Sequence, residues 1–217
     1  MSSSDSKLSA RRRFLAQLSG GLAAFAGLSA PAAAQQTATA LAAQDHDAWM
    51  QRARGRHRQF FHSAAPGDGA AMLMAMNFLD IYGSAYGVSP SHVSAVIGVH
   101  GSALPIGLND AAWNKYELGK RISVNDPDTK EPAKRNVFAV GGPISIDTAI
   151  RRGVVLLVCN VALTRLAGSL ASARSEREAD VYNELRSSII PGAVLVPGLV
   201  VAMNRAQEKG FTYVRAS

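Results

Sequence analysis

From Gln59 onward, short runs rich in β-branched and aromatic residues alternate with longer segments in which apolar residues return every three or four positions. Runs of the first kind fit strands and segments of the second kind fit helices. The pattern predicts strands at 59–63, 93–99, 154–158, 193–196 and 211–214, with helices at 70–86, 103–118, 146–151, 160–170, 175–186 and 199–209. Turn residues support these boundaries. Pro66-Gly67-Asp68-Gly69 precedes the first helix, Gly87 follows it, and Pro191-Gly192 and Gly210 end two later ones. Ser175-Glu176-Arg177-Glu178 has the form of a capping box. Val154-Val155-Leu156-Leu157-Val158 has no polar position, the mark of a strand covered on both faces. Five strands alternating with helices predict an α/β fold, a three-layer α/β/α sandwich around a mainly parallel five-stranded sheet.

The polar stretch 120–136 interrupts this rhythm. A helix after the second strand runs away from the carboxyl edge of the sheet, so the chain from Lys120 to Pro143 has to climb back toward that edge. It reads as a solvated return loop or as a flap presenting Asn136, Phe138 or Gly141-Gly142. Asn77 stands between Leu73 and Ile81 on one face of an apolar helix and needs a partner if buried.

In a parallel sheet, ligands gather at the carboxyl ends of the strands. The second strand ends in His100-Gly101-Ser102, the third in Cys159-Asn160 and the fourth in Pro197-Gly198, so Cys159, His100, Asn160, Pro197 and Gly198 are the candidate site residues. Cys159 also opens the next helix, where the helix dipole favours thiolate over thiol. A free cysteine ending an apolar strand is also a common buried core residue, and that reading stands beside the reactive one. His46, His57, His62 and His92 show no ligand spacing and read as structural. Cys159 and His100 alone are too few for a structural zinc site. There is no phosphate loop, nucleophile elbow or complete calcium loop. No metal and no cofactor are therefore expected.

The amino terminus changes the picture of compartment. Arg11-Arg12-Arg13-Phe14-Leu15 leads into a stretch of Ala, Gly and Leu that ends in Pro31-Ala32-Ala33-Ala34. This is the form of a twin-arginine export signal, cleaved before Gln35, which delivers a protein already folded to the periplasm. Gly20, Gly21, Gly27 and Pro31 break the apolar stretch, which falls short of the roughly 20 residues that span a bilayer, so no stable membrane insertion is expected after processing. Residues 35–57 read as a flexible lead-in with a short helix, and 58–217 as one domain. Removing 1–34 takes away Lys7, Arg11, Arg12, Arg13 and Asp5 and lowers the net charge from +7 to +4. The remaining cluster Arg52, Arg54, Arg56 and Arg58 lacks interleaved aromatics, and no nucleic-acid partner is expected. The single cysteine rules out an internal disulfide framework.

Val99-His100-Gly101-Ser102-Ala103, Gly153 through Asn160, Leu195-Val196-Pro197-Gly198-Leu199-Val200 and the closing Gln207-Glu208-Lys209-Gly210-Phe211-Thr212-Tyr213 together resemble the DsrE family. The similarity runs from about Gln59 to Arg215. It implies the three-layer fold, association into homo- or hetero-oligomers, and, in the sulfurtransferase members, sulfur carried as a persulfide on one cysteine, which Cys159 matches. The resemblance thus implies a periplasmic sulfur carrier with a sulfur donor or acceptor protein as partner. The family also holds members without that cysteine, which leaves a binding or assembly module with a structural Cys159 as the alternative. The middle stretch 113–136 is longer than in compact cytoplasmic carriers. The very apolar 70–86 helix, with Met72, Met74, Met76, Phe78, Leu79 and Ile81, exceeds what one sheet-facing stripe requires and points to a homo-oligomer.

Overall fold

Val93–Val99 (β2) and Val155–Cys159 (β3) contain no charged residue, and they form fully buried central strands of the sheet. His57–Ser63 (β1), Val194–Val196 (β4) and Thr212–Arg215 (β5) complete it in the order β4-β3-β2-β1-β5, with every neighbouring pair parallel. The fold is that of a computed structural model describing residues 45–217. The expected export signal at 1–34 and residues 35–44 lie outside the described residues.

Parallel neighbours need crossovers, and the direction of travel decides which face each one covers. The chain steps from β1 through β2 and β3 to β4 in one direction. Ala70–Ser84 (α1), Asp110–Lys115 (α2), Leu118–Arg121 (α3), Ile146–Arg151 (α4), Asn160–Arg174 (α5) and Glu178–Ser187 (α6) supply these crossovers. Together they bury Phe61, Ala95, Ile97, Val99, Leu156 and Val158 on one face. The last crossover reverses direction to reach β5, and its helix Leu199–Glu208 (α7) lies on the other face. There Phe60, Val96, Val155, Leu157, Cys159 and Val196 meet Leu199, Ala202 and Ala206 of α7. The layers are therefore unequal, with most helices on one face and α7 on the other.

The 3-10 turn Ala48–Arg52 helps α7 cover that second face. Trp49 is buried and meets the rings of Phe60 and Phe211 at 6.4 and 5.9 Å. Arg205 of α7 donates from Nε and Nη2 to Asp47 Oδ2 at 2.9 and 2.7 Å. The short helix expected within the 35–57 lead-in falls at this 3-10 turn, and the chain from Asp45 packs with the domain expected from 58.

Other expectations change for identifiable reasons. The expected helix at 103–118 divides into a 3-10 segment, Gly101–Gly107, and two short helices, with Pro105 inside the 3-10 segment. Leu108 and Asn109 are extended, and Asn109 caps a new helix by accepting the Ala112 N–H at 3.1 Å. Trp113 anchors the division, donating from Nε1 to the Pro105 carbonyl at 2.8 Å. The capping box does not form. Ser175 takes a left-handed conformation (φ 55°) at the end of α5, Glu176 pairs with Arg174, and α6 begins after Arg177. Asn77 is exposed, as are Leu73 and Ile81, so it needs no buried partner.

Candidate functional site

The chain leaves β3 toward one face, in α5, and leaves the adjacent β4 toward the other, in α7. Where neighbouring strands part in this way a crevice opens at their carboxyl ends. A cleft of about 500 Å³ lies there, and its wall includes Cys159, His62, His100, Arg121, Arg165 and Gly198. Val161, Ala162, Leu166, Leu199, Val200 and Met203 give it an apolar lining.

Strand register explains the company of Cys159. Val99 pairs with Val158 and Cys159 with Val196, so His100, one step beyond β2, stands in the row of Cys159. Strand side chains alternate between faces. Phe60 and Val96 face α7, and two residues on from Phe60 in β1 His62 faces the same way. Tyr213 pairs with Phe60 and Arg215 with His62, which brings two β5 side chains to the same rows. The thinly covered face thus collects the polar groups.

Cys159 is 5% exposed and precedes the first turn of α5. Its Sγ accepts the backbone N–H of Leu199, the first residue of α7, at 3.3 Å. The starts of two helices therefore converge on one sulfur, the polarity that a sulfur anion accepts. Gly101 makes the neighbouring turn. Its φ is +57°, and a Cβ there would stand 2.8 Å from the Ala64 carbonyl oxygen.

The histidines form a pair. Nε2 of His62 and Nε2 of His100 are 2.6 Å apart with the rings stacked, and His62 Nδ1 meets the Tyr213 hydroxyl at 2.8 Å. Burial, then the charges of His100 and Arg215, hold the His62 pKa below its ordinary value. Burial and Arg215 lower that of His100. Two Nε2 atoms in contact need one donor and one acceptor, which leaves a single proton between them.

The remaining charge in the cleft is positive. Arg121 of α3 donates to Ser169 Oγ at the far end, and Arg165 lies between Ser169 and Cys159 along α5. Arg135, Arg151, Arg152, Arg174, Arg177 and Arg205 each hold a carboxylate, whereas Arg121 and Arg165 have none among the described residues. Among the described residues no Asp or Glu lines the cleft.

Of the residues singled out from sequence, Cys159, His100 and Gly198 line the cleft together. Pro197 precedes Gly198 and is outside the lining, and Asn160 turns away to accept the Tyr182 hydroxyl at 2.8 Å. The expected flap does not reach the site. Asn136 is buried, donating to the Ile106 and Leu108 carbonyls at 2.8 and 2.7 Å, and Phe138 packs against Trp113, while Gly141 and Gly142 are outside the lining. His62, Arg121 and Arg165 were missed. His62 alone left a trace in sequence, two positions after a core phenylalanine near a strand end. Among the described residues no three His, Cys, Asp or Glu side chains group to hold a metal ion.

Comparison with known proteins adds little to this geometry. No family model matches the chain, and no curated protein matches it. A solved structure of a protein of unknown function from Methanobacterium thermoautotrophicum is similar at 14% identity, covering 73% of this chain and 98% of that one, with a TM-score of 0.41.

Proposed function

We propose that the protein is an exported, DsrE-like sulfur carrier that holds sulfane sulfur as a persulfide on Cys159. The observation that carries this reading is the placement of Sγ on the wall of a basic cleft, with the Leu199 N–H donated to it. Loading from an inorganic polysulfide is a displacement. The Cys159 thiolate attacks a sulfane sulfur, the adjacent S–S bond breaks, and the shortened polysulfide leaves with the bonding pair. The new terminal sulfur is itself an anion, and His62, His100 and Arg165 supply positive or donor groups around it. Export to the periplasm is part of the proposal, resting on Arg11-Arg12-Arg13 and the segment after them.

The near-complete burial of Cys159 favours a second reading, a non-catalytic binding or assembly module in which the thiol is only packed. Alkylation of the folded protein separates the two. The carrier is expected to react with a small thiol reagent without denaturant, and to gain sulfur by intact mass after polysulfide exposure, at Cys159 and reversibly by reductant. No reaction until the protein is unfolded supports the packed thiol and overturns the carrier.

A further inference from the structure

The length of the cleft limits what it was shaped to hold. Ala162, Arg165, Leu166 and Ser169 recur at three- and four-residue spacing along one face of α5 and line it throughout. At 1.5 Å per residue, Ser169 lies about 15 Å along the helix from Cys159. A short inorganic polysulfide at Cys159 would leave Arg121, which is held at Ser169, uncovered. The volume, about 500 Å³, lies in the range of pockets for organic molecules. The order of groups is also informative, with a sulfur and a histidine pair at one end, apolar walls from Val161, Leu166, Val200 and Met203, and Arg165 and Arg121 beyond.

We propose that the sulfur donor for this cleft is the persulfide of a low-molecular-weight thiol bearing carboxylates, with its sulfane sulfur at Cys159 and its carboxylates at Arg165 and Arg121. The inference rests on the carrier reading. In the step it describes, the Cys159 thiolate attacks the terminal sulfur of R–S–SH and the S–S bond that joins it to the R–S sulfur breaks. The products are Cys159–S–SH and the thiolate R–S⁻, which departs with the bonding pair. No oxidant or reductant is consumed. Guanidinium groups suit the carboxylates because they present paired donors and stay charged. Among the described residues no acid lines the cleft and neither arginine has an ion-pair partner, so both can meet a ligand anion.

Glutathione persulfide and inorganic polysulfide are the probes, each titrated against the wild type and an Arg121→Gln/Arg165→Gln variant, with Cys159 loading read by intact mass. Both arginines are exposed, and matching circular dichroism and melting curves check that the variant folds. The wild type is expected to load at lower concentrations of glutathione persulfide than of polysulfide, and the variant to lose at least tenfold of that preference. Arg165→Lys is expected to recover part of it. A second measurement needs no sulfur transfer: S-methylglutathione is expected to slow alkylation of wild-type Cys159 and to leave the variant unprotected. Loading from both donors with an unchanged preference in the variant, and no protection, overturns the inference and leaves the carrier reading intact. A Cys159 that loads from neither donor overturns both.

Discussion

The two Nε2 atoms of His62 and His100, 2.6 Å apart, tie proton uptake to folding. Burial is the leading reason that both rings titrate below their ordinary 6.5, with Arg215 opposing a proton on either. An unfolded chain takes up protons at these histidines near its ordinary pKa, and the folded pair does so only at lower pH. Between those values the unfolded state binds more protons, so stability rises with pH through that window and falls as the pH drops through it. Melting temperature is expected to decline between about pH 7 and about pH 5, and the decline is expected to be shallower in His62→Gln, which removes half of the pair. Parallel melting profiles for the two proteins would remove the pair as the cause. Gly98 poses a steric constraint beside it. A Cβ there would stand 2.7 Å from Phe60 and from Leu199, so Gly98→Ala is expected to cost about 1–3 kcal/mol by urea denaturation, unless those two side chains shift without loss. Cys159 and His100 were legible in sequence because each closes a strand. His62 left only its place after a core phenylalanine, because its role depends on the parallel register of β1 with β2 and β5, and spacing along one chain does not reveal which rows meet.

At the level of elements, the apolar runs placed β2 and β3 to within one residue, since a buried parallel strand leaves little room for another reading, and turn residues placed the less buried β1, β4 and β5 to within two. The region between β2 and β3 was harder, because polar side chains replace apolar periodicity in holding it. Asn136 does most of that work. It is 1% exposed, its amide donates to two carbonyls of the segment before α2, its Oδ1 accepts the Phe138 N–H at 3.1 Å, and its own N–H reaches Asp110 Oδ1 at 2.8 Å. Asn136→Ala strands two buried carbonyls and is expected to destabilise the protein by about 1–3 kcal/mol, seen as a lower urea midpoint with an unchanged slope. A midpoint within error of wild type would mean that water replaces the amide. This stretch contributes to the cleft through Arg121 near its start and not through the glycines of a flap. Nothing in the sequence distinguishes Arg121 from Lys120 beside it, since only the packed position of α3 against α5 brings its guanidinium to Ser169.

At the scale of the whole molecule, the layer that holds most of the helices still leaves apolar surface open on α1. Among the described residues no helix is long and apolar enough to cross a membrane, so this surface is not that of a spanning helix. On α1, Met72 and Met76 turn into the core, whereas Leu73, Met74 and Ile81 are 43%, 37% and 51% exposed. Phe78 and Tyr82 of the same helix and Tyr86 just after it run as a chain of ring contacts, and His57 stacks on Tyr82 at 4.5 Å. The methionine-rich helix therefore splits into a buried half and an outward apolar half, a pattern of contact with another subunit. We expect the processed protein to form a homo-oligomer, between dimer and hexamer, through this face of α1. Light scattering at micromolar concentration is expected to return a multiple of the monomer mass, and Leu73→Glu with Ile81→Glu to return the monomer. Both positions are exposed, so the variant is expected to keep its fold by circular dichroism, and a loss of assembly without loss of helix would locate the interface. A wild type that stays monomeric would overturn the assembly and would leave Leu73, Met74 and Ile81 as surface tolerated by a single chain.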